Sequence, residues 1–105
     1  MENIMIEFTR GDTFKKKVNL YKDGDEDYIP SEGDVLRFAA KKSYTENRVA
    51  IDKMIPIDTM LFELKPEDTA KLKYGVYVFE IELTTNEGEV HTICKGRMTL
   101  LPEVR

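Results

Sequence analysis

The sequence contains no tryptophan, only one cysteine and no long apolar run. The single cysteine, Cys94, cannot form an intramolecular disulfide, which excludes the bridge-rich design of small secreted domains. No segment approaches the roughly 20 apolar residues that a membrane-spanning helix needs. The first residues, MENIMIEFTRGD, lack the basic start and the apolar stretch of a signal peptide. We therefore expect synthesis in a reducing cytoplasm and no membrane partner.

An excess of basic residues is also missing. The chain has 16 Lys and Arg against 20 Asp and Glu, and a formal net charge of -4. Nucleic-acid-binding proteins normally carry a basic excess on one face. The only basic runs here are Lys15-Lys16-Lys17 and Lys41-Lys42, and lysines beside strands also discourage pairing with another chain. We expect no nucleic-acid partner.

Regular alternation of apolar and polar residues dominates the sequence. The 105 residues fit a single domain, 1–105, and 41% of them are hydrophobic, enough to fill one core. Alternation with a period of two, bounded by turn residues, predicts about seven short strands. They lie at 4–8, 13–20, 34–42, 49–57, 60–64, 76–85 and 90–101, with a hairpin turn at 86–89.

Hardly any helix interrupts this pattern. Only residues 66–73 have helical character, because Pro66 suits the first helical position and Glu67 and Asp68 favour the positive end of a helix. Pro56 places the fourth strand at an edge or a bulge. Seven short strands with turns between them predict an all-β sandwich or a small barrel, and we favour the antiparallel sandwich.

The acidic segment 22–34 is the sharpest metal candidate. Its aspartates fall at positions 1, 3, 5 and 12 of a would-be calcium loop: Asp23, Asp25, Asp27 and Asp34. However, Tyr28 stands where such a loop needs glycine, and no helices flank it. The pattern favours a solvated loop with at most a short strand at Tyr28-Ile29, and calcium binding stays open.

Other candidate chemistry is weaker. His91 and Cys94 are three apart, which on a regular strand points them to opposite faces, so we expect a surface histidine and a small buried cysteine. Glu80 and Glu82 share one strand face, and we interpret this face as the solvent-exposed side of a half-buried sheet. We therefore predict no catalytic, cofactor-binding or metal-binding residue, and no enzymatic activity.

The segment PEDTAKLKYGVYVFEIEL at 66–83 changes abruptly from a polar turn to the most regular strand. The start of strand F in immunoglobulin-like sandwiches has the same arrangement, with a tyrosine whose hydroxyl bonds to the backbone a few residues upstream. Tyr77 resembles this corner tyrosine, and Gly75 would let the chain bend before the strand. A sandwich remains the prediction if Tyr77 is merely a core aromatic residue.

The order of motifs along the chain resembles the small immunoglobulin-like domains of phage tail and baseplate proteins, similar to the N-terminal domain of the baseplate upper protein. The matching segments span nearly the full length: RGDTF at 10–14, a hairpin at Asp23-Gly24, GDVLRF at 33–38, segment 66–83, the NEG turn at 86–88 and GRMTLLPEV at 96–104. Family members commonly continue into a longer receptor-binding or helical region. Whether this chain stands alone or is one domain of a longer protein stays open.

This resemblance implies an immunoglobulin-like sandwich that acts as a structural or adaptor domain of a phage or prophage tail. The implied partners are other phage structural proteins, and the implied location is the bacterial host cytoplasm during synthesis and the virion after assembly. Two other classes remain open: a carbohydrate-binding module that uses tyrosines for stacking, and a small phage-encoded regulator of a host protein. Homo-oligomer formation is also open.

Overall fold

The structure is a computed structural model that describes residues 2–19, 21–22, 26–27 and 30–104. These residues form nine strands and one short helix, in the order β1 (Glu2–Thr9), β2 (Phe14–Lys17), β3 (Tyr21–Lys22), β4 (Glu26–Asp27), β5 (Val35–Lys41), β6 (Val49–Ile55), β7 (Leu61–Leu64), α1 (Pro66–Thr69), β8 (Gly75–Thr84) and β9 (Val90–Leu101). Within the described ranges, the chain forms no helix of the length and apolarity that crossing a membrane requires.

Two sheets face each other across the core. The larger has five strands in the order β1-β9-β8-β5-β6, and the smaller pairs β2 with β7. Phe38 of β5 stacks on Phe62 of β7 with 4.3 Å between ring centroids, and on Phe79 of β8 at 5.2 Å. The contact between Phe38 and Phe62 joins the two sheets, as the inner faces of a sandwich must. The predicted all-β sandwich is confirmed.

The predicted strands are present with small differences at their ends. The seven longer strands coincide with the seven predicted segments, although β2 ends at Lys17 and β6 at Ile55. Strand β6 lies at a sheet edge, as Pro56 indicated. In the acidic segment, β3 and β4 pair antiparallel where the turn residues predicted a loop and the family resemblance implied a hairpin. The turn at Asp23-Gly24 and the short strand proposed at Tyr28-Ile29 lie outside the described residues.

One pairing departs from the expected antiparallel arrangement. Strand β1 runs parallel to β9, with Ile4 opposite Gly96. A Cβ atom at residue 96 would collide with the carbonyl oxygen of Ile4 and would lie 2.8 Å from the ring of Phe79. Glycine therefore lets the first strand approach the last one closely.

The corner before β8 has the geometry that the sequence indicated. The Tyr77 hydroxyl donates a hydrogen bond to the Lys73 carbonyl at 2.8 Å, while the side chain is buried. Gly75 has a φ of 129°, a conformation that L-residues rarely adopt. Helix α1 precedes this corner as a single turn, and Pro66 occupies its first turn as predicted.

Candidate protein-binding surface

The side of the five-stranded sheet that points away from β2 and β7 is here called the outer face. Because side chains alternate along a strand, the residues between the buried ones occupy it. Burial and register place six of the exposed large apolar side chains on this face: Met5, Val35, Val49, Met54, Val76 and Val90. Another exposed apolar side chain, Leu61, lies on the β2–β7 sheet and so is not part of the outer face. Exposed apolar side chains are thus concentrated on the outer face.

Charged side chains fill the spaces between these apolar residues. Arg37 donates two hydrogen bonds to the Asp52 carboxylate, at 2.6 Å and 2.5 Å. The hydrogen bonds from Arg37 lower the pKa of Asp52 below its ordinary value. A looser pair joins Lys95 to Glu80 at 3.8 Å. All four side chains are substantially exposed, so a partner can reach them.

Tyr44 borders a shallow depression on the outer face. Its ring is exposed, and the Lys95 ammonium lies 5.8 Å from the ring centroid. The depression has a volume of about 160 Å³, and its lining includes Ala39, Val78 and Glu80. Pockets that enclose small molecules are usually about 300 to 1,000 Å³. This depression suits a protruding side chain of a protein partner better than an enclosed ligand.

The edge strand β6 carries a charge on its inner side. Lys53 lies between the buried Ile51 and Ile55, opposite Phe38, and its ammonium contacts the Asp68 carboxylate at 2.5 Å. An inward-pointing charge at a sheet edge discourages the addition of another strand. Burial raises the pKa of Asp68, but the hydrogen bonds from Lys53 and the Lys65 amide outweigh it, so the pKa lies below its ordinary value.

Arg10 joins three segments at the end of the sandwich near Tyr77. Its guanidinium donates to the Leu72 carbonyl at 3.0 Å and to Glu103 at 2.8 Å, and lies 4.2 Å from the ring centroid of Tyr74. The hydrogen bond with Glu103 raises the pKa of Arg10, although desolvation partly opposes this shift. The RGD sequence at 10–12 therefore forms part of a structural junction, in which the Arg10 side chain is bound to other residues of the fold.

The aspartates proposed for calcium binding are only partly described. Asp23 and Asp25 lie outside the described residues. Asp34 is buried, and its two carboxylate oxygens accept hydrogen bonds from the backbone amides of Ser31 and Asn86, at 2.9 Å and 2.8 Å. Asp34 thus connects the loop before β5 to the β8–β9 turn. Among the residues that the structure describes, no group of three or more acidic, histidine or cysteine side chains could hold a metal ion.

The prediction that His91 and Cys94 point to opposite faces of their strand is wrong. A register shift next to Ile81 leaves Ile93 as an extra residue in β9, so that His91 pairs with Leu83 and Cys94 with Ile81. Leu83 and Ile81 both point inward, and this bulge therefore turns residues 91 and 94 toward the same side. The predicted environments are nevertheless correct, because His91 is exposed and Cys94 is buried.

Glu80 and Glu82 lie on the outer face, as their alternation indicated. The tyrosines do not line up as a stacking platform in the described part of the chain. Tyr77 is buried, Tyr44 belongs to the loop between β5 and β6, and Tyr74 precedes β8. A row of outward tyrosines on one sheet, which would have favoured carbohydrate binding, is therefore not formed by these three residues.

Sequence reasoning missed the roles of two side chains. Lys53 occupies one of the alternating positions of the fourth predicted strand that are otherwise apolar. A charged residue at such a position indicates an inward-pointing charge. Asp34 directly precedes a strand after Gly33, where a short polar side chain often bonds nearby amides. Its link to Asn86, 52 residues away, has no local signal.

Comparison of the chain with protein-family models found no match, and a search of curated proteins also found none. The resemblance to phage tail domains consequently stays a prediction from the motifs. The sandwich, its outer face and the contacts described above are the observations from which a function can be inferred.

Proposed function

We propose that this chain is a non-enzymatic structural or adaptor domain of a phage or prophage tail assembly, and that it acts through protein–protein contacts. The observation that carries the proposal is the concentration of exposed apolar side chains on the outer face. Single exposed apolar residues are ordinary, whereas their accumulation on one surface marks an interaction site. The motif order supports the phage setting.

The composition of the outer face is suited to a contact of this kind. Interfaces between proteins that also exist separately are about as apolar as the rest of the surface, and Met and Arg are enriched in them. Met54 and Val35 would supply apolar contact, while Arg37 and Asp52 keep the same region soluble before assembly. Synthesis in the host cytoplasm followed by incorporation into the virion fits such a surface.

The experiment is quantitative mass spectrometry of phage-like particles purified from the strain that encodes the chain. We expect this chain at a fixed ratio to the other tail proteins through successive purification steps. Absence from intact particles, with the chain present in the same lysate, would contradict the proposal. A particle-free complex with one host protein would instead support the regulator class.

Carbohydrate binding is the second candidate, because the exposed Tyr44 ring borders a depression that also has polar groups, Lys41 and Glu80. The volume of the depression is smaller than that of a typical ligand pocket. Chemical-shift mapping with a panel of sugars tests this role. Saturable shifts around Tyr44 that disappear in Tyr44→Ala would favour it over protein contact.

A further inference from the structure

We propose that the outer face binds the outer face of a second copy of this chain, which makes the domain an isologous dimer of two packed five-stranded sheets. This inference rests on the proposed function, because it names the partner of the same surface. In a twofold arrangement each copy offers the same patch to the other. The shape, the charge and the area of the outer face support a second copy.

Exposed apolar side chains occur at both edges of the outer face and between these edges. Met5 lies on β1 at one edge, Met54 on β6 at the other edge, and Val76 on β8 between them. A narrow peptide would leave most of these residues exposed. A second five-stranded sheet has the matching width, and sheets pack face to face at about 10 Å with their side chains interdigitated.

The charges of the outer face balance. Strand alternation and register place on it the basic residues Arg37, Lys41, Lys95 and Arg97 and the acidic residues Glu7, Asp52, Glu80 and Glu82. Although the whole chain has a net charge of -4, the charges of these eight described residues sum to zero. Two copies can therefore approach through it without net repulsion, and opposite charges are available for pairing.

The size of the face is close to what a stable dimer needs. Five strands about 4.8 Å apart and about 30 Å long present about 700 Å² to a partner. A standard interface buries about 800 Å² on each side. Pairing through the β6 edge is disfavoured by the inward Lys53 and its contact with Asp68. A face-to-face dimer is consistent with both observations.

Light scattering on a size-exclusion column, run from about 1 µM to about 1 mM, tests the dimer because this range spans weak and moderate affinities. We expect the mass to rise from 12.2 kDa for one chain toward twice that value. The variant Met54→Glu/Val76→Glu should weaken dimerisation at least tenfold, since its side chains are 57% and 50% exposed and lie on the outer face.

The matched control is Leu61→Glu/Val104→Glu, which adds the same charge at exposed apolar residues away from the outer face. We expect it to change the dissociation constant less than threefold. Circular dichroism and thermal melting establish that both variants remain folded. Equal weakening by both variants, or no weakening by either, would overturn the proposal.

A mass of one chain at every concentration would also overturn the dimer, but it would leave the tail assignment intact, because particles could supply a different partner. Conversely, absence of the chain from purified particles would contradict the tail assignment without altering the mass measurement. The two experiments therefore fail independently.

Discussion

The corner around Tyr77 and the outer face of the five-stranded sheet differ in where their polar groups find partners. At the corner, the Tyr77 hydroxyl bonds to the Lys73 carbonyl, and the Thr69 hydroxyl accepts a bond from the Gly11 amide at 2.9 Å. On the outer face, Arg37 and Asp52 pair beside exposed apolar side chains. Buried polar groups must be satisfied within the fold, whereas exposed ones can exchange partners.

This difference separates stability from recognition. Burial raises the pKa of Tyr77 above its ordinary value, although the positive charge of Arg10 opposes that shift. The corner therefore holds a fixed neutral hydroxyl in its hydrogen bond. Substitutions at the corner should affect unfolding, while substitutions on the outer face should affect association.

The largest expected effect is that of Phe79→Ala. Phe79 is buried and stacks on Phe38 at 5.2 Å, so truncation should leave a cavity and lower the free energy of unfolding by about 3 to 5 kcal/mol. Val76→Ala, on the outer face of the same strand, should cost about 1 kcal/mol or less. Urea denaturation measures both, and similar costs would contradict the division between the two faces.

Asp68→Asn should have an intermediate effect that depends on pH. At pH 7 the loss of the charged hydrogen bonds from Lys53 and the Lys65 amide should cost about 1 to 2 kcal/mol. Because the folded pKa of Asp68 is lowered, its stabilisation is present above the unfolded pKa of about 3.9 and is lost as the pH falls through the folded pKa.

Denaturation of wild type and Asp68→Asn at several pH values measures this difference. It should be largest near neutral pH and should shrink in acid. Asp52→Asn is the control on the outer face, because its pKa is also lowered but its side chain is more exposed. A pH-dependent loss at Asp52 equal to that at Asp68 would contradict the comparison.

Tyr77→Phe should cost about 1 kcal/mol, because it removes the hydroxyl of a buried side chain and leaves the Lys73 carbonyl without that hydrogen bond. Tyr44→Phe removes a hydroxyl from an exposed ring and should leave the unfolding free energy nearly unchanged. Chemical denaturation of the two variants gives the comparison. A neutral Tyr77→Phe together with a severe Phe79→Ala would show that the corner bond does not stabilise the fold.

The smallest expected effect is that of Arg37→Gln. Exposed ion pairs typically contribute about 0.2 to 1 kcal/mol, and salt weakens them. A double-mutant cycle with Asp52→Asn, measured at low and high salt, isolates the coupling energy of the pair. Coupling of several kcal/mol that persists in high salt would assign the outer face a structural role like that of the corner.

Local patterns in the sequence were sufficient to predict which face of each strand is buried. Alternation along 76–85 separates the buried Phe79 and Ile81 from the outward Glu80 and Glu82, because a strand repeats every two residues. The corner was also predictable, since Gly75 and Tyr77 have conformational and hydrogen-bonding preferences of their own.

Contacts between distant residues were not predictable in this way. The bulge at Ile93 reverses the expected relation of His91 to Cys94, because an extra residue changes the phase of the strand. The hydrogen bond between Asp34 and Asn86 depends on two loops that meet at one end of the sandwich. No periodic pattern in the sequence indicates the bulge or this hydrogen bond.

The sequence by itself determined the all-β class, the alternation of buried and exposed residues and the corner before β8, because these depend on neighbouring residues and on the geometry of a single strand. Only the tertiary structure decided that β1 runs parallel to β9, that Lys53 meets Asp68, and that exposed apolar residues of separate strands share one face. Strand order and register arise from contacts between segments far apart in the chain, and these contacts place the surface that we propose for binding.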